Sequence, residues 1–411
     1  MAIASLDFFD RAYNQLRHVP ELTTDRHRGF SAQIALKSGH GGACWRTVLA
    51  SGMGGGAQGV FALDATNPDA FEDGSVGASK VLFEFTDQDD PAMGNISMQP
   101  KIVKIKIPPS TPGGLPTYKW FVAVGSGYNN YVNDGTGRYS LTGDQALFLL
   151  SLDKSPTDSW SEGSNYFKIV VPASSSSIAN SMANPGLLLG DRGEASVMYS
   201  GDLQGNIWKF DFSEGLSSGN ISSNKITKAT SGVRKPLFTA TDDGGTRQPI
   251  TVSPLVTTAL QRGVMVVFGT GKFLEQADAI TTGAQSIYGV WDGGGSTNAD
   301  FNLSRTNLQQ QTATEGTSTI SISTTAFTLG TGTGEKRGWY FNLPKRARTY
   351  RCRRRARSEF HRYSIDYSVR RLHWRWGWPN LSAQCTHRWC RWSYSIEQYH
   401  RTFKPPNVCF T

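Results

Sequence analysis

The sequence SVMYSGDLQGNIWKFDFS, residues 196–213, predicts a β-hairpin and decides the fold class. Residues 197–200 are typical of a short strand, residues 201–205 (GDLQG) of a tight turn, and residues 207–212 of a second strand. Side chains alternate along a strand, so Trp208, Phe210 and Phe212 fall on one face. A single hairpin is marginally stable in water, and the pattern therefore predicts a fold only if it recurs.

The pattern does recur as a hydrophobic strand, a glycine-containing turn, and a strand with large apolar residues that ends in Asp or Asn. The further pairs are residues 45–50 with 60–64, 118–124 with 146–153, 264–268 with 286–292, and the half pair 338–343. The second strands end at Asp64, Asp153, Asp211, Asp292 and Asn342, with spacings of 89, 58, 81 and 50 residues.

These spacings favour an all-β fold and a β-propeller, because a four-stranded blade takes roughly 40–50 residues. Two of the four gaps between strand ends then correspond to one blade each. The other two correspond to a blade with insertions, or to a blade and a second one that the pattern does not reveal. Tyr288 and Trp339 are expected within or between the sheets, as are Trp208 and Phe210. A β-sandwich is the alternative, since its short strands also alternate with glycine turns. The shared residue types at turns and strand ends favour the propeller.

Four segments rich in Ser, Thr, Gly and Asn are predicted to be surface loops that are too polar to pack. They are residues 108–117, 173–180, 213–228 and 296–325.

The net charge of +9 divides sharply along the chain at Pro344. Residues 345–411 carry 16 Lys and Arg against 3 acidic residues, a net charge of +13, whereas the first 344 residues carry 26 against 30, a net charge of −4. The tail also holds one glycine of 44 and five of the eleven Trp. Its basic and aromatic runs would suit nucleic acid. A reading-frame change in the coding sequence fits the abrupt switch better, so we expect no nucleic-acid partner.

The predicted organisation is a poorly patterned segment at residues 1–43, a propeller domain at 44–344, and a disordered tail at 345–411. Residues 25–42 are candidates for a second out-of-frame stretch. The first 15 residues lack the basic and apolar regions of a signal peptide.

Candidate metal ligands occur in two oxygen-rich loops. Residues 87–95 (DQDDPAMGN) contain Asp87, Asp89 and Asp90, side chains that suit Ca²⁺, but they lack the glycine and closing Glu of an EF-hand. The second loop contains Asn129, Asn130, Asn133 and Asp134. A solvated polar turn is the simpler interpretation of both loops. The sequence contains no HExxH, GxSxG, CxxC or Walker pattern, so nothing in it indicates catalysis.

Residues 45–344 resemble the C-terminal propeller domain of the PilC/PilY family of type IV pilus biogenesis and tip-adhesin proteins. Matching pieces in the family's order include WRTVLASGMGGGAQGVFALDATNP, YSGDLQGNIWKFD and GWYFNLP. The resemblance implies a modified seven-bladed β-propeller with quinoprotein-like repeats. Because the Arg/Trp-rich tail stands in place of the last blades, we expect the propeller to be incomplete here. It also implies a non-enzymatic role in pilus biogenesis and adhesion, type IV pilus components as partners, a host or surface ligand, and a location on the pilus or outer surface.

The resemblance further implies a calcium loop, D-x-N/D-x-D-G, directly before the YxGD strand. Residues 188–196 (LLGDRGEAS) keep Gly193 but place the acids Asp191 and Glu194 off the pattern. Leu188, Leu189 and Arg192 occupy the stretch of the oxygen ligands, so we expect weak calcium binding at most.

Two other classes of function remain open. A quinoprotein-like dehydrogenase would need a cofactor site in the central channel and usually adjacent cysteines, which the sequence does not show. A non-functional fragment is the other alternative, because missing blades would expose sheet edges and an apolar flank.

Overall fold

The computed structural model consists almost entirely of β-strands. It describes residues 30–37, 43–67, 79–131, 139–142, 145–171, 181–216, 234–259, 262–274, 278, 283–295, 297–315, 320–344, 381–386 and 389–394. Four sheets follow one another between Phe30 and Asn342, and none of them closes on itself. This architecture confirms the all-β, incomplete propeller predicted from the sequence.

The first two sheets are antiparallel, and their strands lie side by side in chain order. Sheet 1 contains β1 (Phe30–Lys37), β2 (Ala43–Gly52), β3 (Gly59–Asp64) and β4 (Val81–Thr86). Sheet 2 contains β5 (Lys101–Ile107), β6 (Thr117–Gly125), β7 (Gln145–Ser151) and β8 (Tyr166–Val171).

Sheet 3 repeats this four-stranded order, and sheet 4 adds one short strand. Sheet 3 contains β9 (Gly186–Leu189), β10 (Ala195–Gly201), β11 (Asn206–Asp211) and β12 (Phe238–Thr239). Sheet 4 contains β13 (Leu255–Thr258), β14 (Val264–Gly269), β15 (Ser286–Asp292), β19 (Gly338–Asn342) and β16 (Gln309–Gln310), which runs parallel to β19. Two separate ladders pair β17 (Ala313–Glu315) with β18 (Ile320–Ile322) and β20 (Leu381–Thr386) with β21 (Trp389–Tyr394).

The core lies between consecutive sheets, in three clusters of buried side chains. Phe85 and Phe148 represent the cluster between sheets 1 and 2, with ring centroids 5.4 Å apart. Trp208 lies in the cluster between sheets 2 and 3, and Tyr288 in the cluster between sheets 3 and 4. Phe210 is also buried, whereas Trp339 is half-buried on β19. The alternation predicted for residues 207–212 thus places large aromatic side chains between blades.

The prediction of a fifth strand pair was wrong. Residues 338–343 do not begin another blade, because β19 pairs with β15 from Ser286 to Val290 and belongs to sheet 4. Each of the three gaps between Asp64 and Asp292 therefore corresponds to one blade, and the last gap of 50 residues is an insertion within sheet 4.

The prediction that residues 296–325 form a loop too polar to pack was also wrong. Phe301, Leu303 and Leu308 are buried in this segment, which contains two short 3₁₀ helices at Asn298–Asp300 and Arg305–Asn307. The backbone of Leu303 exchanges hydrogen bonds with sheet 3, accepting one from the Thr239 N–H at 2.9 Å. The segment therefore ties the short strand β12 to sheet 4.

Two regions for which the sequence predicted no regular structure contain strands. Phe30–Lys37 is the edge strand of sheet 1, although residues 1–43 were expected to be unpatterned. In the Arg/Trp-rich tail, β20 and β21 form an antiparallel ladder, and the rest of residues 345–411 lies outside the described residues.

Candidate functional site

The opening hairpin centres on Asp202, a fully buried residue in the turn between β10 and β11. Its Oδ1 accepts a hydrogen bond from the Asn206 N–H at 2.8 Å. Its Oδ2 accepts three more, from Asn206 Nδ2 at 2.9 Å, Trp208 Nε1 at 2.8 Å and Gln145 Nε2 at 3.0 Å. Gln145 begins β7, so this carboxyl group links sheets 2 and 3.

Burial raises the pKa of the Asp202 carboxyl above its ordinary value, and the hydrogen bonds from Trp208, Asn206 and Gln145 act against the rise. All four of these hydrogen bonds are donated by nitrogen atoms of the protein. The arrangement is suited to fixing the hairpin against its neighbour rather than to receiving a substrate proton.

The predicted acidic loop, residues 87–95, is engaged in contacts of the same kind. Asp89 Oδ2 accepts hydrogen bonds from Thr86 N at 2.9 Å and Thr86 Oγ1 at 3.3 Å, which closes the turn after β4. Asp87 follows β4 directly, is half-buried, and its N–H donates to Gln58 O at 3.3 Å.

Asp90 is buried and faces β8 of the next sheet. Its Oδ2 lies 2.8 Å from Lys168 Nζ and 3.1 Å from the Tyr166 hydroxyl, while its Oδ1 accepts the Ala92 N–H at 2.9 Å. Burial and the nearby Asp90 carboxylate raise the pKa of Tyr166. Asp90 thus forms an ion pair that joins sheet 1 to sheet 2.

The two amide side chains of the second predicted loop that the structure describes, Asn129 and Asn130, hydrogen bond to residues 92–95. Asn129 has a left-handed backbone (φ 66°), and its Nδ2 donates to Asn95 Oδ1 at 3.3 Å. Asn130 Nδ2 donates to Ala92 O at 2.9 Å. Asn133 and Asp134 lie outside the described residues.

The connectors between consecutive sheets form a recurring element, which we call the hub (residues 95–96, 182–184 and 249–251). Each connector hydrogen bonds to the turn between the second and third strands on both sides. In the first connector, Ile96 O accepts from Gly54 N (3.0 Å) and Asn95 N donates to Tyr128 O (2.7 Å). In the second, Met182 O accepts from Gly127 N (3.1 Å) and Ala183 N donates to Gly201 O (2.9 Å). In the third, Ile250 N donates to Asp202 O (2.9 Å) and Pro249 O accepts from Gly271 N (2.7 Å). The hub therefore fixes the spacing of the four sheets.

Glycine is required where the hub approaches the sheets. The second strand of every sheet ends in glycine, at Gly52, Gly125, Gly201 and Gly269. A Cβ at Gly125 would overlap the carbonyl oxygens of Met182 and Ala183, and a Cβ at Gly201 would overlap Ile250. The glycine turns seen in the sequence thus reflect close packing against a connector.

A small cleft opens at the hub. Among the described residues, its lining contains no carboxylate, histidine, cysteine or lysine. Asn184 is its main buried polar group, and this side chain donates to Met98 O and accepts from Gly125 N, both at 2.9 Å. The polar groups that the cleft offers are therefore mainly amides and hydroxyls.

The residues for which the resemblance implies calcium form the turn between β9 and β10. Asp191 is exposed, and Glu194 Oε2 accepts the Arg192 N–H at 2.9 Å. Within the described parts of the chain, no three His, Cys, Asp or Glu side chains come together as a group that could hold a metal ion. Calcium binding by Asp87, Asp89, Asp90, Asp191 or Glu194 stays a prediction. No helix among the described residues is long and apolar enough to span a membrane.

Sequence reasoning missed a buried polar cluster around Arg305. Its guanidinium donates to the Tyr288 hydroxyl at 2.8 Å, to Ser286 Oγ at 2.6 Å and to Asp243 Oδ1 at 2.5 Å. The Tyr288 hydroxyl donates to Gln248 Oε1 at 2.6 Å. Burial raises the pKa of Tyr288 to about 12, while Arg305 acts against the rise. No local pattern marks Arg305, because it stands alone in a polar stretch and all these partners come from other segments.

The four consecutive sheets of four or five strands are joined by the hub, and β1 contacts β5, β5 contacts β10, and β9 contacts β13. These features define a β-propeller protein. The sequence matches the PilY1 beta-propeller domain over residues 30–326, and the chain belongs to that family.

Comparison with individual proteins agrees with this family assignment. The chain is 31% identical over 290 residues to the type IV pilus biogenesis factor PilY1 of Pseudomonas aeruginosa strain PAO1, covering 66% of this chain and 21% of that protein. A homologue in Xylella fastidiosa is 28% identical over 302 residues, covering 73% and 20%. The crystal structure of the P. aeruginosa PilY1 C-terminal domain aligns with a TM-score of 0.55 at 27% identity, covering 77% of this chain and 61% of that one. The chain thus spans about a fifth of the length of these full-length relatives.

Proposed function

We propose that this chain supplies the propeller part of a type IV pilus biogenesis protein and acts there as a non-enzymatic scaffold. Its partners are components of the type IV pilus, and its place is the pilus or the outer surface of the cell. Adhesion to a host or other surface is part of the same proposal. Membership of the PilY1 propeller family supports the pilus role.

The single observation that favours a scaffold is the use made of the buried carboxyl groups. Asp90, Asp202 and Asp292 are each 2% exposed or less, and each accepts hydrogen bonds from a neighbouring sheet. Catalytic acids and bases need access to a substrate atom within hydrogen-bonding distance. These three groups are instead held by Tyr, Lys, Gln and Trp side chains of the protein.

A domain exchange tests the proposal. Residues 30–344 would replace the matching part of P. aeruginosa PilY1 in cells that lack their own copy, and sheared surface pilin would be measured by immunoblot. We expect the exchange to restore surface pili. The same exchange carrying Trp208→Ala is the matched control, because removing a buried aromatic costs about 3–5 kcal/mol and should abolish the fold.

The outcomes separate the alternatives. A chimera that accumulates at wild-type level and is exported, yet gives no surface pili, would contradict the scaffold proposal and indicate a non-functional segment. Equal pilus levels from the chimera and its Trp208→Ala version would show that the propeller is not needed for assembly.

A further inference from the structure

The turn that joins β9 to β10, residues 190–194, is closed by groups of the protein at the position where the family resemblance implies calcium. The Gly190 N–H donates to Glu194 O at 2.7 Å, and the Gly193 N–H donates to Gly190 O at 2.9 Å. Gly193 has a left-handed backbone (φ 73°), which suits glycine. The turn is therefore a complete hydrogen-bonded unit.

The side chains of this turn do not fit a calcium site. Ca²⁺ takes six to eight oxygen ligands. The Glu194 carboxylate is folded back onto the turn, where its Oε2 accepts the Arg192 N–H at 2.9 Å and its Oε1 lies close to Gly190. Leu189 is 58% exposed and offers no side-chain oxygen. Asp191 alone keeps an exposed carboxylate, which is too few ligands for the ion.

A lysine side chain from the neighbouring sheet contacts this turn. Lys104 on β5 donates a hydrogen bond from Nζ to Arg192 O, a contact that spans 88 residues of sequence. The ammonium also lies 5.3 Å from the centre of the Tyr118 ring on β6. Backbone carbonyl oxygens are ligands of hard cations, and an ammonium group satisfies them with directed N–H donors.

We infer that the Lys104 ammonium holds the turn at residues 190–194 in place of a metal ion, so that the order of this turn is independent of calcium. The lysine comes from sheet 2 and the turn belongs to sheet 3, so the contact also links two blades on the side away from the hub. The inference concerns this turn alone and holds whether or not the pilus proposal is correct.

Trypsin provides a direct measurement, because Arg192 lies within the turn. The rate of cleavage after Arg192 would be followed by mass spectrometry on the full chain, in calcium and in EDTA. We expect equal rates in both for the wild-type chain. In Lys104→Met the cleavage should be about two- to fivefold faster, the size expected from losing one exposed charged contact, and calcium should not slow it.

Lys106→Met is the matched control, since Lys106 lies on the same strand and its Nζ donates to Ser213 O at 3.3 Å, away from the turn. Slower cleavage of the wild-type chain in calcium than in EDTA would overturn the inference by showing a metal site. Equal rates in the two lysine variants would also overturn it, because Lys104 would then have no special role. If Lys104→Met does not fold, Lys104→Arg replaces it; this variant keeps the charge and should match the wild-type rate, and faster cleavage that calcium slows would contradict the inference.

Discussion

The buried acidic residues of this protein are junctions between sheets. Asp292 Oδ2 accepts a hydrogen bond from the Tyr199 hydroxyl at 2.6 Å and forms an ion pair with Lys209 Nζ at 2.7 Å. Both partners belong to sheet 3. A buried carboxylate is costly unless donors surround it, so each such residue requires a specific neighbour. The neighbour is distant in sequence, since Asp90 and Tyr166 are 76 positions apart. Acidic composition suggested calcium ligands in residues 87–95, where Asp90 forms an ion pair with Lys168; calcium binding there stays a prediction.

We predict that Asp202→Asn destabilises the fold by about 1–3 kcal/mol. The substitution turns one acceptor atom into an NH₂ donor, which must then face the donors of Asn206, Trp208 or Gln145. Chemical denaturation followed by tryptophan fluorescence measures the change. Asp191→Asn is the control because that side chain is exposed in a turn. Equal midpoints for the two variants would show that Asp202 does not hold the hairpin.

At the scale of the strand, the recurring terminal Asp has a clear physical role. After β3, Asp64 Oδ1 accepts the Thr66 N–H at 3.0 Å, and after β11, Asp211 Oδ1 accepts the Ser213 N–H at 2.9 Å. Asp292 does the same for Gly294 at 2.9 Å. These are Asx turns, which end a strand by giving the next N–H groups a side-chain partner. The repeat noticed in the sequence is thus a repeat of strand ends.

The sequence allowed the central strand pairs to be predicted because period-two alternation and the glycine turn are local signals. The strands β10 and β11 differ from the prediction by one or two residues at their ends. The position of β19 was not predictable in this way, since its partner β15 lies across an insertion of 45 residues. The buried Leu303 was missed for the same reason, because its contacts depend on sheet 3 rather than on its polar neighbours.

Gly125→Ala tests the close approach of a connector to a strand end. The added Cβ would overlap the carbonyl oxygens of Met182 and Ala183, and the backbone can yield only by shifting sheets 2 and 3 apart. We predict a loss of about 1–3 kcal/mol in the free energy of unfolding, the usual cost of overpacking. Gly55→Ala is the matched control, with its nearest contact at an ordinary 3.7 Å from the Tyr128 hydroxyl. A melting temperature for Gly125→Ala equal to that of the control would contradict the hub packing.

At the scale of the whole molecule, the four sheets and the tail differ in composition and net charge. The sheets end at Asn342, close to the point where the charge changes from −4 over residues 1–344 to +13 over residues 345–411. A segment with many like charges and no regular apolar period gains too little from burial to offset the entropy of ordering it, about 1–2 kcal/mol per residue.

We therefore predict that trypsin removes residues 345–411 before it cuts the sheets, and that the remaining chain keeps its unfolding transition. Mass spectrometry of a digestion time course, followed by thermal unfolding of the product, measures both. Protection of the tail, including the β20–β21 ladder, while the sheets are digested would contradict this prediction. In that case salt-dependent binding to nucleic acid becomes the next measurement.

The three core clusters have a consequence for the way the molecule is made. Each cluster is shared by two sheets that are neighbours in the chain, so a sheet finds its packing partner in the segment synthesised just before it. Contacts of this kind close loops of one blade rather than of the whole domain, which keeps the entropic cost of each step small. A chain emerging from a ribosome or a secretion pore can therefore fold vectorially, one blade docking on the last, without waiting for its far end.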